Sequence, residues 1–275
     1  MRAFKSHAVS ISRAVADKVR APGFHARVLH AFPRAVNLVT EDGTVVTLAD
    51  PTVGDGPLNV VAPASFDRVP ANAIAWGDGR GLHVNGLAVA LDRAAVWEPR
   101  WDWERRRGAE SGERRAESEQ WPAWPAGLYG VMAQAASAAI ANLRAALQAD
   151  DRRKLTAAAA ALAGLGPGLT PAGDDFLAGV CWGLRFQPRD QDVDALCAAI
   201  VADAAPRTTP LSAALLRAAG AGLASAPWHA LFDALDRGED ATEAIQAVLA
   251  RGATSGADAW AGFQFAATVD SADMW

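Results

Sequence analysis

The sequence is poor in lysine, and this absence excludes several kinds of chemistry. Only Lys5, Lys18 and Lys154 occur among 275 residues, and 31 acidic residues outnumber 26 basic ones. A Schiff-base or P-loop mechanism therefore has almost no candidate lysine. The net charge of −5 is the opposite of the basic footprint that nucleic-acid binding requires, so we expect neither DNA nor RNA as a partner.

Cysteine and long apolar runs are also scarce. Cys181 and Cys197 lie in segments with helical periodicity and form no CxxC motif, which indicates free thiols in a reducing compartment. The five histidines make no HxH or HxxxH pair, so the sequence predicts no zinc site. No stretch is long and uncharged enough for a membrane span, and the first twenty residues lack the apolar core of a signal peptide. We expect a cytoplasmic protein with no membrane partner.

The first 98 residues read as strands joined by tight turns. The β-branched segments 36–40 and 44–48 flank Asp42-Gly43, and the segment 82–91 is centred on Asn85-Gly86. Asx-Gly pairs between such segments are typical of β-hairpins. A glycine-rich turn also precedes a short apolar strand at Val60 and Val61. The sequence predicts a small β-rich, barrel-like domain over residues 1–98.

The remainder of the chain changes character twice. Residues 99–122 are rich in Trp, Arg and Glu without apolar periodicity, which favours an exposed charged linker or mobile loop, with the Arg105–Arg107 triplet on a solvated face. Residues 123–275 are alanine-rich and helical in period, including a helix that ends near Gly164. The predicted fold class is α+β, with a second, all-helical domain in which alanine allows close packing.

The most informative segment is GLGPGLTPAGDD, residues 164–175. It predicts a glycine loop that leads into a helix with Thr170 as N-cap and Pro171 at the first position. Such a helix start offers unpaired N–H groups and a positive dipole end to an anion. Asp174 and Asp175 would repel a phosphate, so they suit Mg²⁺ or a substrate amide. Alternatively, they only complement the helix dipole. Gly173 in the first turn is costly, which predicts a close neighbour.

Two further segments resemble this helix start. The segment 207–212, RTTPLS, offers another threonine cap and proline, now behind an arginine. The segment 252–262 matches the first motif after a shift of 83 residues, which pairs Gly173 with Gly256 and Asp175 with Asp258 and suggests an internal duplication. In both copies the aspartate lies one turn before a glycine, so the two helices are expected to cross closely there. We hypothesise that the three helix starts converge on one polar site.

These segments resemble one family. The strings GLGPGLTPAGDDFLAG, RTTPLS and GATSGADAWAG, in this order behind RAVNL (residues 34–38) and GDGPLN (residues 54–59), are similar to those of the AllH-like family. The resemblance implies a subunit of an oxamate carbamoyltransferase, which moves a carbamoyl group between oxalurate and phosphate in anaerobic allantoin use. It also implies an acyl-CoA-synthetase-like (FdrA-type) partner subunit, a third subunit, and a small anionic ureido or carbamoyl substrate.

The residue chemistry is compatible with that reaction, because carboxylates suit NH₂ donors whereas arginine and N–H groups suit oxyanions. We expect catalytic roles for Asp174, Asp175, Arg207 and Asp258. The candidate substrate-binding residues are Asn37, Asn59, Gly166, Gly168, Thr170, Gly173, Thr208, Thr209, Ser212, Ser255 and Gly256. No cofactor is required by the sequence, although the aspartates could hold Mg²⁺. The alternatives are a non-catalytic binding or assembly module for small carboxylates and phosphates, and a Mg²⁺-dependent hydrolase.

Overall fold

The computed structural model describes residues 6–107 and 131–269, and it separates into two compact units. Unit 1 comprises the described residues up to Pro99 together with Ala224–Ala226, and unit 2 comprises the rest. Unit 1 holds a ten-stranded sheet, whereas unit 2 is helical. The predicted α+β class, with a β-rich N-terminal part and a helical C-terminal part, is therefore confirmed.

Unit 1 is built on one curled sheet in which β1 and β10 form the two edges. Its strands are β1 (Ser6–His7), β2 (Ser10–Ser12), β3 (His25–Phe32), β4 (Ala35–Thr40), β5 (Val45–Ala49), β6 (Asn59–Val61), β7 (Ile74–Gly77), β8 (Gly81–Val84), β9 (Leu87–Ala90) and β10 (Ala95–Trp97). Their order is β1-β9-β8-β7-β3-β4-β5-β6-β2-β10. One helix, α1 (Arg13–Arg20), follows β2 and buries Val15 and Val19.

Both predicted hairpins are present. β4 pairs antiparallel with β5 from Ala35 opposite Ala49 to Val39 opposite Val45. β8 pairs antiparallel with β9 around Asn85-Gly86. These two turn residues have φ angles of 44° and 79°, the left-handed conformation that an Asn-Gly hairpin turn requires. The predicted short strand is β6, which runs parallel to β5 and antiparallel to β2.

Unit 2 is a bundle centred on one buried helix. Its helices are α2 (Trp103–Arg107), α3 (Val131–Gln148), α4 (Arg152–Leu162), α5 (Ala172–Phe186), α6 (Val193–Ala204), α7 (Pro210–Gly220), α8 (Ala226–Arg237), α9 (Thr242–Leu249) and α10 (Ser255–Ala267). α4 ends at Leu162, as the sequence predicts, and a 3₁₀ turn at Ala205–Arg207 leads into α7. All but one residue of α5 are buried, so this helix is the core of the bundle.

Helices α5 and α10 cross at backbone contact. A Cβ built on Gly179 would lie 1.8 Å from the Ala259 carbonyl oxygen, and one on Gly262 would lie 1.9 Å from the Phe176 carbonyl oxygen. No side chain fits at either position, because atoms that are not bonded cannot approach so closely. We call this contact the glycine crossing; it confirms the close approach that the repeated Asp-to-Gly spacing predicts.

The described part of the predicted linker differs from an exposed segment. Trp101 and Trp103 are buried among aromatic rings, and Trp103 Nε1 donates to the Gly222 carbonyl at 2.8 Å. Arg106 is also buried: its guanidinium pairs with Asp236 at 3.1 Å and lies 4.3 Å from the centre of the Phe186 ring. The solvated-face interpretation is wrong for Arg106, because an ion pair and an aromatic face replace its water. Residues 108–122 of the linker lie outside the described residues.

Within the described ranges, none of the helices combines the length and the apolar character that crossing a membrane requires.

Candidate functional site

The two aspartates at the start of α5, Asp174 and Asp175, lie in different environments. Asp174 is 2% exposed, and its Oδ1 accepts a hydrogen bond from the Gly164 backbone N–H at 2.9 Å. Its Oδ2 accepts from the hydroxyls of Thr208 and Ser212, the latter at 2.8 Å. All three donors belong to the segments that flank α5, namely the glycine loop and the start of α7. Asp174 therefore fastens these segments to α5, and we call this arrangement the Asp174 latch.

Thr209 at the start of α7 makes one hydrogen bond within α7 and one to the glycine loop. Thr209 Oγ1 accepts from the Ser212 N–H at 3.1 Å, which makes it the N-cap of α7 with Pro210 at the first helical position. The same hydroxyl donates to the Leu169 carbonyl at 2.6 Å. This cap is the one that the sequence predicts. It also holds the loop ahead of α5 against α7, so the two helix starts are joined.

Asp175 faces α10 instead. Adjacent helical residues point about 100° apart, so the second aspartate meets a different neighbour from the first. Thr170 Oγ1 and Ser255 Oγ lie 2.8 Å apart, and both hydroxyls are close enough to the Asp175 carboxyl to lower its pKa. Its Oδ2 is shielded from solvent and has no hydrogen-bond partner in the described part of the chain. Such an atom is a candidate ligand contact, because buried polar atoms are normally paired.

The electrostatics of Asp175 follow from this burial. Loss of solvation raises the pKa of the Asp175 carboxyl well above its ordinary value of 3.8. The hydroxyls of Ser255 and Thr170 lower the pKa, whereas the negative charges of Asp258 and Asp174 raise it. The net direction is upward, so this carboxyl holds its proton more tightly than an exposed aspartate does.

The start of α10 mirrors the start of α5. A Cβ on Gly173 would lie 2.0 Å from the Leu162 carbonyl oxygen, and a Cβ on Gly256 would lie 2.0 Å from that of Val248. Gly173 therefore has the close neighbour that the sequence predicts. Asp258 is 3% exposed in the first turn of α10, and Asp175, in the first turn of α5, is half-buried. The start of α5 thus contacts the start of α7 through Asp174 and the start of α10 through Thr170 and Ser255, and convergence of all three on one polar site stays a hypothesis.

The cap of α5 differs from the prediction. The helix begins at Ala172 with Pro171 as N-cap, and Thr170 makes no capping bond because its hydroxyl is paired with Ser255. The Gly173 N–H already donates to the Leu165 carbonyl at 2.9 Å. In α10 the Gly256 N–H likewise donates to Arg251 at 2.9 Å. In these two first turns, loop carbonyls therefore cover the N–H groups of Gly173 and Gly256.

Available N–H groups lie in the glycine loop itself. Among the described residues, the backbone N–H groups of Gly166, Gly168 and Thr170 donate no hydrogen bond. Gly166 and Gly168 have φ angles of 116° and 97°, a conformation that glycine adopts without strain. These N–H groups offer donors for an oxyanion next to the hydroxyls of Thr170 and Ser255.

Three predicted residues lie apart from this cluster or have other contacts. The Arg207 side chain is exposed, and its Nε donates to the Asp203 carbonyl at 3.1 Å rather than to either aspartate of α5. Asn37 and Asn59 belong to unit 1. There Asn37 Oδ1 accepts from Thr47 at 2.8 Å, and Asn59 Nδ2 donates to the Gly54 carbonyl at 2.8 Å. Both amides thus have an internal structural contact.

The described residues contain no group of three or more His, Cys, Asp or Glu side chains arranged to hold a metal ion. Asp174 also differs from the other two aspartates at the site, since the hydrogen bonds of the Asp174 latch occupy both of its oxygens. What remains is an acceptor, Asp175, beside two hydroxyls and a loop with available N–H groups. This set suits a small neutral or anionic group with N–H donors and acceptor oxygens.

Sequence reasoning missed Gly164. Its N–H donates to Asp174, and a Cβ on it would lie 2.9 Å from the Arg207 carbonyl oxygen. The sequence signal was the glycine itself, which opens the glycine-rich segment. Its φ of 72° in the structure is the left-handed conformation that glycine adopts readily. It could not be assigned a partner, since Arg207 lies 43 positions further along the chain.

Comparison with known families gives two matches. A model described as oxamate carbamoyltransferase subunit AllH matches residues 162–267, from the end of α4 to the end of α10. A model described as the AllH family N-terminal domain matches residues 7–96, which lie in unit 1. No solved structure matches the chain.

Proposed function

This chain belongs to the AllH family, and from that premise we propose that it contributes a binding site for the carbamoyl substrate to an oxamate carbamoyltransferase. The reaction transfers a carbamoyl group between a ureido acid and phosphate. The family description names a subunit, so further subunits belong to the enzyme. We propose that one of them is the acyl-CoA-synthetase-like (FdrA-type) subunit that the sequence resemblance implies.

One observation carries the proposed site: Asp175 has a shielded Oδ2 atom with no hydrogen-bond partner among the described residues, beside the hydroxyls of Thr170 and Ser255. The NH₂ group of a carbamoyl compound is a donor that such an oxygen lacks. A carboxylate acceptor is also the kind of group that makes strong, charge-assisted hydrogen bonds. We assign the carbamoyl end of the substrate to Asp175 and Asp258.

The oxyanion end of the substrate needs donors. The N–H groups of Gly166, Gly168 and Thr170 are available, and the starts of α5 and α10 add the positive ends of two helix dipoles. Arg207 stays our candidate for a phosphate contact, because its side chain is exposed and it directly precedes Thr208, which the Asp174 latch holds. The latch residues Asp174, Thr208 and Ser212 then position the site rather than touch the substrate.

Reconstitution with the other subunits tests this proposal. Carbamoyl phosphate and oxamate are supplied, and phosphate release is followed. We expect Asp175→Ala to lower kcat/KM about 10- to 100-fold, the effect of removing a charged hydrogen-bond partner. Asp190→Ala is the matched control, since Asp190 is exposed in the segment between α5 and α6. Equal activity of the two variants would remove the proposed site.

The second candidate function is an assembly module that has no substrate contact. The Asp174 latch favours it in part, because three hydrogen bonds join the start of α5 to the glycine loop and to α7 without a ligand. In that case oxamate would leave the unfolding temperature of the chain unchanged at any concentration, whereas a bound ligand stabilises the folded state. Asp175→Ala would then change complex formation, and the kcat/KM of the assembled enzyme would stay the same.

A further inference from the structure

One face of strand β7 presents large apolar side chains to solvent. Ile74 and Trp76 are 60% and 43% exposed, whereas Ala75 between them is fully buried. This alternation arises because successive residues of a strand point to opposite faces of the sheet. One face of β7 therefore belongs to the core of unit 1, and the other face carries two apolar side chains that the core does not use. Adjacent exposed apolar residues of this kind are typical of interaction surfaces.

Strand pairing gathers four exposed side chains into one block on that face. In the antiparallel pairing of β3 with β7, His25 lies opposite Trp76 and Arg27 lies opposite Ile74. His25 and Arg27 are also exposed. Side chains directly opposite each other are about 5 Å apart, and side chains two positions apart on one strand are about 7 Å apart. The four residues therefore form one continuous surface, which we call the Trp76 face.

The Trp76 ring is fixed in position before any partner binds. It stacks on the ring of His83, the opposite residue of β8, with 4.0 Å between the ring centres and 13° between the ring planes. His83 Nε2 lies 3.3 Å from Asp78 Oδ2, and Asp78 Oδ1 accepts hydrogen bonds from the backbone N–H groups of Arg80 and Gly81. A side chain that is already ordered loses little conformational entropy on binding. Trp76 is therefore suited to anchor a protein contact.

Arg27 gives the Trp76 face a positive charge. The residues directly opposite Arg27 on its two neighbouring strands, Val39 and Ile74, are apolar. Glu41, on the turn that follows β4, is exposed and makes no ion pair with Arg27. Within the part of the chain that the structure describes, no carboxylate pairs with the Arg27 guanidinium. A surface complementary to this face therefore carries a carboxylate opposite Arg27.

We propose that the Trp76 face is a contact surface for another subunit of the carbamoyltransferase. The matching surface of that subunit has an apolar recess for Trp76 and Ile74 and an Asp or Glu side chain opposite Arg27. The family description names a subunit, so further subunits belong to the enzyme. Tryptophan and arginine are also the residue types that most often dominate the binding energy of an interface.

A second copy of this chain complements the Trp76 face less well. In a two-fold contact the same surface meets itself. The four residues of the face include an arginine and a histidine but no acid, so they supply no carboxylate for Arg27. The charge of the face thus favours a different protein as the partner.

Binding to the purified subunits tests this proposal. The acyl-CoA-synthetase-like (FdrA-type) subunit and the third subunit are immobilised in turn, and the Kd of the full chain is measured without substrate. For one of them we expect Trp76→Ala to raise the Kd about 30-fold or more and Arg27→Glu about tenfold or more. Val9→Ala, at a 57% exposed residue outside the face, and Arg93→Glu, at another exposed arginine, are the matched controls and should leave the Kd unchanged.

Salt dependence distinguishes a lost contact from a damaged fold. An ion pair of Arg27 with a partner carboxylate weakens as ionic strength rises. The Kd of the unsubstituted chain should therefore increase between about 50 and about 500 mM NaCl, and Arg27→Ala should show a smaller increase. Arg27 is exposed, so its variants should keep the unfolding temperature of the unsubstituted chain. If Trp76→Ala lowers that temperature, the two Arg27 variants decide the outcome.

Three results overturn the proposal. The first is that neither subunit binds the unsubstituted chain. The second is that Trp76→Ala or Arg27→Glu binds as tightly as its matched control. The third is that the chain alone forms a dimer, measured by light scattering, that Trp76→Ala separates into monomers, which assigns the face to a second copy. Because the assay contains no substrate, its outcome does not depend on the site proposed at Asp175.

Discussion

Unit 2 contains two similar arms that meet at the glycine crossing. The first arm is α4, the glycine loop and α5, and the second is α9, a shorter turn and α10. In each arm a glycine of the first turn contacts the end of the preceding helix, Gly173 at Leu162 and Gly256 at Val248, both at 2.0 Å from the built Cβ. Both glycines also donate their N–H to a loop carbonyl at 2.9 Å. The packing frame is thus the same in the two arms.

The arms differ in how they are attached to their surroundings. Position 174 of the first arm is the aspartate of the latch, whereas the matching position of the second arm is Ala257. Only the first arm has the run of three glycines with positive φ, at Gly164, Gly166 and Gly168. The two arms therefore share close helix packing, whereas the Asp174 latch and the glycine loop with its available N–H groups belong to the first arm.

The largest effect is expected from substitutions at the glycine crossing, where the two arms pack against each other. Gly179→Ala and Gly262→Ala should each lower the free energy of unfolding by about 3 kcal/mol or more. The added methyl group would overlap a backbone carbonyl of the facing helix, which cannot move away without displacing that helix. Thermal unfolding of both variants measures this. Gly238→Ala is the control, since a Cβ there meets nothing within 4 Å and only its φ of 67° is strained. A large loss at one glycine and none at the other would disprove the symmetric crossing.

Asp174→Ala should remove the main difference between the arms. We expect a loss of about 2–3 kcal/mol in unfolding free energy, since the buried hydroxyl of Ser212 and the Gly164 N–H lose a charged acceptor. Hydrogen exchange should show faster exchange of the Gly164 amide. Asp190→Ala gives the cost of losing an exposed aspartate. If the Gly164 amide stays as protected as in the unsubstituted chain, the latch does not hold the loop.

The helix caps differ between the arms in a smaller way. Thr209 caps α7 beside the first arm through its side chain, whereas Thr254, at the N-cap of α10, makes no such bond. Thr209→Ala should therefore cost about 1 kcal/mol, and Thr254→Ala close to nothing. Urea titrations give both values. Thr209→Ser keeps the hydroxyl and should restore most of the loss; equal effects at the two threonines would contradict this assignment.

The smallest expected effect is on pH dependence. The native pKa of Asp175 is raised above 3.8, so between that pH and its native pKa the folded chain binds a proton that the unfolded chain has lost. The free energy of unfolding from this group therefore falls as pH rises through that window. Asp175→Asn has no proton to lose and should flatten the curve of unfolding temperature against pH. An unaltered curve would show that Asp175 titrates as an ordinary aspartate.

Much of the fold could be predicted from local sequence. The two hairpin turns follow from Gly43, Asn85 and Gly86, which adopt left-handed backbone. The cap at Thr209 with Pro210 follows from the residue preferences of helix starts. The close crossing was predictable because Asp175-to-Gly179 spacing recurs at Asp258 and Gly262. Each of these signals operates within a few residues.

Other features could not be predicted, because they depend on distant partners. Arg106 reads as a solvated charge, yet Asp236 and the ring of Phe186 enclose it. Thr170 reads as an N-cap, yet its hydroxyl pairs with Ser255, 85 positions away. The roles of Asp174 and Asp175 could not be told apart, since two adjacent aspartates have the same local chemistry.

The sequence by itself determined the α+β class, the positions of the tight turns, the glycines that permit backbone contact and the resemblance to the AllH family. Tertiary structure alone decided that Asp174 is a latch and that Asp175 is the shielded acceptor. The physical reason is that turn geometry and the space for a Cβ belong to a residue and its neighbours in the chain. Burial, hydrogen-bond partners and pKa belong to what the folded chain places around a side chain.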